Sequence, residues 1–161
     1  IVKKATQDCN TIINLAALIG IPYSYKAPES YVDTNIKGLL NIMNACKDKQ
    51  KKIMFDEGTE RPYSSPLNQE KRDGFFHCAN CGTKLFASKA KFDSGTGWPS
   101  FTESLPGVFK TKTDYSFGIK RTEYHCAKCG VHHGHVFDDG STLTQKRFCN
   151  NGLCLIFKPT N

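Results

Sequence analysis

Phe76-His77-Cys78-Ala79-Asn80-Cys81-Gly82 and Tyr124-His125-Cys126-Ala127-Lys128-Cys129-Gly130 are near copies of each other. Each has an aromatic lead-in, two thiols three residues apart and a trailing glycine. A tight knuckle of this kind puts both sulfurs on one side of a turn, and the glycine can take the positive φ that closes it. Two knuckles supply four thiolates at tetrahedral corners, so Cys78, Cys81, Cys126 and Cys129 are the expected ligands of a zinc ion. The 44 residues between Cys81 and Cys126 mean that the ion clips two distant strands together. Such a site contributes on the order of 10 kcal/mol of apparent binding free energy to folding. Four thiolates leave no open coordination position, so the zinc is expected to be structural, with His77 and His125 as flanking strand residues. The competing readings are buried free thiols, or a redox dithiol, which needs only one pair.

Working outward, residues 55–161 alternate short aromatic and β-branched runs with Gly, Pro, Asn and Asp turns. Gly74-Phe75-Phe76-His77-Cys78, Tyr115-Ser116-Phe117-Gly118-Ile119, His135-Val136-Phe137 and Leu153-Cys154-Leu155-Ile156-Phe157 are examples. Short runs at this spacing predict an all-β sandwich or barrel. Residues 1–54 differ. Thr11 to Gly20 is an apolar run of strand type. Ser30 to Cys46 has helical spacing, with Val32, Ile36, Leu39, Leu40 and Met43 on one face. That segment reads strand–loop–helix, an incomplete α/β piece set before a β domain.

The chain has 161 residues and 39% apolar content, which excludes disorder throughout. No uncharged apolar stretch reaches the length of a membrane span, and the residues from Ile1 to Asp8 hold no apolar run of signal-peptide type. The net charge of +7 divides almost evenly, +4 in residues 1–54 and +3 in residues 55–161. Its one dense run, Lys47 to Lys52, reads as a solvated helix end or linker. No basic stripe is interleaved with aromatics, so neither nucleic acid nor membrane is an expected partner. Eight cysteines without a secretory signal imply a reducing compartment, and a cytoplasmic monomer is the expectation.

Three clusters carry possible chemistry. In Lys146-Arg147-Phe148-Cys149-Asn150-Asn151-Gly152, Arg147 lies two residues from Cys149 and projects to the same face of an extended chain. Only about 3% of a thiol with the reference pKa of about 8.5 is ionised at pH 7, and a neighbouring guanidinium raises that fraction. Asn151 shares the face if the strand continues that far. A buried cysteine in a terminal strand fits these residues equally well. In Val131-His132-His133-Gly134-His135-Val136-Phe137-Asp138-Asp139-Gly140, imidazoles near pKa 6.5 could donate a proton at neutral pH, or serve as further metal ligands. In Phe92-Asp93-Ser94-Gly95-Thr96-Gly97-Trp98-Pro99-Ser100-Phe101, the chain's one Trp sits beside a glycine-rich turn, where it walls a pocket or joins the core.

Together with Gly58-Thr59-Glu60-Arg61-Pro62-Tyr63, these motifs resemble the B-type methionine-R-sulfoxide reductases from about residue 58 to residue 158. Five separated motifs occur in the family's order. The resemblance implies a mainly β fold, two antiparallel sheets forming a small barrel-like domain with a structural zinc. It implies Cys149 as nucleophile, His132 and His135 holding and protonating the sulfoxide oxygen, and Trp98 packing on the substrate methyl group, with Phe148 at the substrate too. Arg147 and Asn151 tune the thiolate and the site. The activity implied is reduction of methionine-R-sulfoxide, protein-bound or free, through a cysteine sulfenic acid that a thioredoxin-like reductant regenerates.

Many relatives carry a resolving cysteine between the two glycines before the Trp, where this chain has Thr96. An external thiol is the favoured substitute and Cys154 the second, provided that a turn intervenes at residues 150–152. A continuous strand rising about 3.3 Å per residue would carry Cys154 beyond disulfide reach. Cys46 and Cys9 qualify only if the first segment folds back. The stretch from Ser141 to Lys146 lacks the Pro and Gly usual before the family's Arg. Residues 8–47 resemble a fragment of an extended short-chain nucleotide-sugar epimerase or dehydratase. They lack the dinucleotide fingerprint and the Tyr-x-x-x-Lys pair, so no activity is expected of them. The alternative for the whole chain is a zinc-ribbon-like binding module for nucleic acid or protein. Such a module has no need of Cys149, Trp98 and the His cluster together.

Overall fold

A computed structural model of the chain describes residue 2, residues 12–140 and residues 144–160. The chain divides between Gln50 and Lys51 into two compact units. In the first, residues 12–20 carry no regular structure, although their apolar run predicts a strand. A lone strand has no ladder for its backbone groups. Asn35 substitutes in part, its Oδ1 accepting the Leu18 N–H at 2.8 Å while its Nδ2 donates to the Leu18 carbonyl at 3.0 Å. Helices follow: α1 (Ile21–Lys26), α2 (Pro28–Tyr31), a π-helical stretch over Val32–Lys37, and α3 (Gly38–Phe55). The expected helix is therefore present, but it runs on through the basic stretch Lys47 to Lys52. Its apolar face of Val32, Ile36, Leu39, Leu40 and Met43 is exposed.

The second unit holds nine strands among the described residues: β1 (Gly74–Cys78), β2 (Lys84–Ala87), β3 (Lys91–Phe92), β4 (Ser100–Phe101), β5 (Phe109–Asp114), β6 (Arg121–Cys126), β7 (His132–Phe137), β8 (Arg147–Asn150) and β9 (Leu155–Pro159). They form a sheet of order β2-β1-β9 and a larger one of order β3-β4-β8-β7-β6-β5. Every pairing is antiparallel, as expected of a mainly β domain with two such sheets. Aromatic side chains fill the space between the sheets. Phe86 of β2 stacks on Phe101 of β4 with ring centroids 4.0 Å apart, and Phe76 of β1 meets the same ring edge-on at 4.9 Å. Phe109, Tyr124 and Phe148 extend the cluster along the large sheet. Ile53 and Met54, in the last turn of α3, join this core. Such offset and edge-on pairs add about 0.5–1.5 kcal/mol each beyond their area burial.

One irregularity decides where the polar residues go. Gly134 of β7 pairs with Tyr124 and His132 with His125, so His133 is an extra residue without a partner on β6. This bulge reverses the parity of β7. His133 turns into the core, its ring 5.4 Å from that of Phe109, while His132 and His135 come to share the other face. Gly134 makes the bulge possible, because a Cβ built there would lie 2.0 Å from the Cys149 carbonyl oxygen. Gly134→Ala is expected to force β7 from β8 and to lower stability by about 2 kcal/mol or more. Denaturant midpoints check this, and a midpoint equal to wild type would contradict the bulge's role.

Candidate active site and metal centre

The two knuckles bring the four expected ligands together. All four Sγ atoms lie within 4.8 Å of one another, with Cys78 3.7 Å from Cys129 and Cys81 3.6 Å from Cys126. Four sulfurs about 2.3 Å from a central ion at tetrahedral corners stand about 3.8 Å apart, so the cage has the size of a four-thiolate metal site. Each knuckle closes identically. The Gly82 N–H donates to the Cys78 carbonyl and the Gly130 N–H to the Cys126 carbonyl, both at 2.8 Å. Both glycines have positive φ, +73° and +75°. Burial pushes the Cys78 thiol far up and raises Cys126. Burial also acts to raise Cys81, but hydrogen bonds from the Thr83 hydroxyl and backbone and from Cys129 and Cys126 outweigh it and bring that thiol down to about 6. Buried thiols so close together are costly as an apolar cluster and favourable as thiolates around a cation. His77 and His125 point elsewhere, His77 Nδ1 lying 3.0 Å from the Gly82 carbonyl and His125 Nε2 3.0 Å from Glu123 Oε1.

The second centre is a row across the large sheet. Register sets Ser100 (β4) opposite Cys149 (β8), Cys149 opposite His135 (β7), His135 opposite Glu123 (β6), and Glu123 opposite Lys112 (β5). Directly opposed residues project from the same face, so a thiol, an imidazole, a carboxylate and an ammonium form one line. The bulge adds His132, whose ring centroid is 5.8 Å from that of His135.

Carboxylates hold the two imidazoles, Glu123 buried and Asp114 half-buried. His132 Nδ1 bonds Glu123 Oε1 closely, and the fully buried His132 Nε2 has no hydrogen-bond partner. Burial depresses the His132 pKa despite Glu123, so the ring is neutral at pH 7. The Glu123 carboxylate also meets Lys112 Nζ at 3.3 Å. His135 Nε2 lies 2.8 Å from Asp114 Oδ2. Hydrogen bonds from the Ser116 hydroxyl and N–H, then from His135 and Arg121, hold Asp114 far below the ordinary carboxylate range.

Cys149 is half-buried. Burial pushes the Cys149 thiol up and outweighs the pull of Arg147, which acts in the direction expected from the sequence, and that of Thr96. Glu60 adds to the rise. Arg147 is itself engaged, donating to both carboxylate oxygens of Asp139 at 2.8 and 2.7 Å and lying 4.4 Å over the Phe137 ring.

Trp98 is held at the site by its indole N–H, which donates to the Glu60 carbonyl at 3.0 Å. The strand ends at Asn150, so Asn151 does not share the Cys149 face by alternation. Asn151 is buried and braces backbone instead, accepting the Glu60 N–H at 2.9 Å and donating to the carbonyls of Gly58 and His133. Phe148, expected at the substrate, alternates with Cys149 and packs on Tyr124 in the core. A 3-10 turn over Gly152–Cys154 does follow the strand, yet Cys154 is fully buried and burial pushes its thiol far up. Cys46 is exposed on α3 in the other unit. Cys9 and residues 141–143 lie outside the described residues.

Four carboxylates at this site are given no role by the sequence reading: Glu60 and Asp139, which stand in its quoted motifs, and Asp114 and Glu123, which do not. Glu60 does the most, its carboxylate accepting the Gly152 N–H at 2.5 Å and the Leu153 N–H at 3.0 Å. Strand alternation could have found Glu123, two residues before His125 in β6. Asp114 depends on a cross-strand register that no local pattern reveals.

The SelR domain family matches residues 46–159, and the GDP-mannose 4,6 dehydratase family matches residues 2–66. The peptide methionine sulfoxide reductase MsrB of Pseudomonas entomophila (strain L48) is 52% identical over 104 residues, 64% of this chain and 79% of that protein. That of Variovorax paradoxus (strain S110) is 50% identical over 101 residues, 62% of this chain and 74% of that protein. An archaeal relative of the same name, from Methanosarcina barkeri (strain Fusaro / DSM 804), is 45% identical over 111 residues, 68% of this chain and 78% of that protein. With the four-thiol cage and the Cys149–His135 row, these matches show that the chain belongs to the SelR-domain family of B-type methionine sulfoxide reductases.

Proposed function

We propose that this chain reduces methionine-R-sulfoxide, in oxidised proteins or as the free amino acid, to methionine. The observation that carries the reading is the cross-strand pairing of Cys149 with His135, with His132 beside them on the same face. The neutral thiol and neutral imidazole of the resting site contain together the one proton that the reaction needs. Cys149 passes it to an imidazole and attacks as thiolate, while the imidazole protonates the sulfoxide oxygen. The S–O bond breaks, methionine departs with a lone pair on its sulfur, and the oxygen ends on Cys149 as a sulfenic acid. The balance is sulfoxide plus thiol giving thioether plus sulfenic acid. Trp98 faces the methyl group, and Arg147 and Asn151 fix the thiol's surroundings.

The sulfenic acid then condenses with a second thiol, releasing water. Burial of Cys154 favours an external donor of thioredoxin type over an internal one. Zinc is the ion whose size and donor preference suit the four-sulfur cage, with Cys78, Cys81, Cys126 and Cys129 as ligands. It supplies a clip between β1 and β6 and no open coordination position. Residues 55–161 constitute the reductase domain, and residues 1–54 are accessory. A reducing compartment such as the cytoplasm suits the free thiols, and the domain acts as a monomer.

Three outcomes are expected. Cys149→Ser loses turnover of the R epimer by about three orders of magnitude in a dithiothreitol-driven assay with separated epimers, while zinc content stays unchanged. Retained turnover would reject the nucleophile. Alkylation of Cys149 should be slow at neutral pH and rise into the alkaline range, because burial raises its pKa and thiolate appears only as pH passes through that value. A plateau already reached at pH 7 would contradict this. Removal of zinc by a strong chelator should unfold the domain, with a loss on the order of 10 kcal/mol. Unchanged thermal unfolding in the metal-free protein would deny the clip.

A further inference from the structure

Strands β6 and β7 assemble a second group of metal-type donors, made of other residues than the four-sulfur cage. Glu123 and His125 stand two apart on β6, and His132 of β7 pairs directly with His125. The ligand atoms of the three side chains all lie within 4.8 Å of one another. His125 Nε2 is 3.0 Å from Glu123 Oε1, and His132 Nδ1 bonds the same oxygen closely. Glu123 and His132 are buried and His125 is partly buried. Two half-exposed side chains complete the group. Lys112 Nζ lies 3.3 Å from Glu123 Oε2 and bonds Glu57 Oε1, and Glu57 Oε1 lies 3.6 Å from His125 Nε2.

A ring nitrogen that donates to a carboxylate aims its bond along the direction in which its lone pair would point once the hydrogen is gone. Two rings that meet one carboxylate oxygen are therefore set to aim two lone pairs at one place. Two imidazoles and a carboxylate form a donor set that zinc takes with a fourth position left open. Ligand atoms at tetrahedral corners about such an ion stand about 3.4 Å apart, so the His125–Glu123 pair opens by only about 0.4 Å to admit it. We propose that Glu123, His125 and His132 form a second, exchangeable site for a divalent cation of the zinc type, with Glu57 in reach as a fourth ligand and the Lys112 ammonium as its competitor. Each imidazole coordinates in its neutral form, its hydrogen passing through solvent to the other ring nitrogen. In His132 that nitrogen is Nε2, which is buried without a hydrogen-bond partner. A ring with metal on Nδ1 and hydrogen on Nε2 has no lone pair left to accept a proton. Occupancy therefore withdraws His132 from proton transfer and inhibits turnover, a consequence that rests on the reaction proposed above.

The test is calorimetric titration of Zn2+ into the full chain that already holds one zinc, without thiol reductant. A second equivalent should bind. Lys112→Met removes the competing ammonium and should tighten that equivalent about tenfold, and His125→Phe, which keeps a ring in place, should weaken it about a hundredfold. Cys149→Ser should bind it as the wild type does. Saturation at one equivalent overturns the site. So does a second equivalent that Lys112→Met fails to tighten, even if His125→Phe fails to fold, or one that a folded His125→Phe leaves unchanged. Loss of the second equivalent in Cys149→Ser would assign the cation to the thiol and also overturns the site. Methionine release in a single turnover should fall as the second equivalent fills, and should fall at lower zinc in Lys112→Met. Unchanged release at full occupancy overturns the inhibitory role. A chain that releases no methionine before zinc is added fails the proposed reaction itself, which separates the two failures.

Discussion

The register of β8 between β4 and β7 is the constraint on which the site depends. Side chains alternate with a period of two residues, so a slip of one residue would carry Cys149 into the aromatic core and Phe148 to the polar face. Two features pin that register. The Phe148 ring is locked among Phe86, Phe109 and Tyr124 on the core side. Gly134 lets the β7 backbone approach the Cys149 carbonyl more closely than any side chain would allow. The bulge at His133 then does what regular alternation cannot, placing two histidines three residues apart on one face.

Charge is arranged so that each functional group has a fixed counterpart. Glu123 faces His132, Asp114 faces His135, and Asp139 holds both arms of Arg147. A buried carboxylate such as Glu123 is tolerable only with such partners. Their combined effect is orientation rather than ionisation, because burial outweighs them at His132 and at Cys149. The His132 imidazole and the Cys149 thiol are thus both biased toward their uncharged forms. In the proposed reaction, charge separates only when a sulfoxide oxygen is present to take the proton, a saving in solvent reorganisation that preorganised sites provide.

Much of this was legible in the sequence. The paired Cys-x-x-Cys-Gly knuckles announce the cage, and even the positive φ of Gly82 and Gly130 follows from their place in it. Short aromatic runs announce the two sheets. Other features depend on long-range pairing and were not legible. The apolar run over residues 12–20 has strand composition but no neighbour to pair with, so it stays irregular. Phe148 looks like a pocket residue from its place beside Cys149, and alternation sends it inward. Burial of the sulfur, which outweighs the pull that Arg147 does exert on the thiol, depends on the packing of several strands. Glu60 stands in the quoted Gly-Thr-Glu-Arg-Pro-Tyr motif. Its work of holding Trp98, Asn151 and the 3-10 turn together spans about ninety residues of chain and leaves no local trace.

The central claim is that oxygen passes from a sulfoxide to the Cys149 sulfur. Its most direct test is a single turnover without reductant, one equivalent of methionine-R-sulfoxide per chain, trapped with a sulfenic-acid-selective 1,3-diketone and mapped by mass spectrometry. The account predicts one adduct, on Cys149, in step with one methionine released. Methionine released with Cys149 unmodified, or an adduct confined to another cysteine, would contradict it.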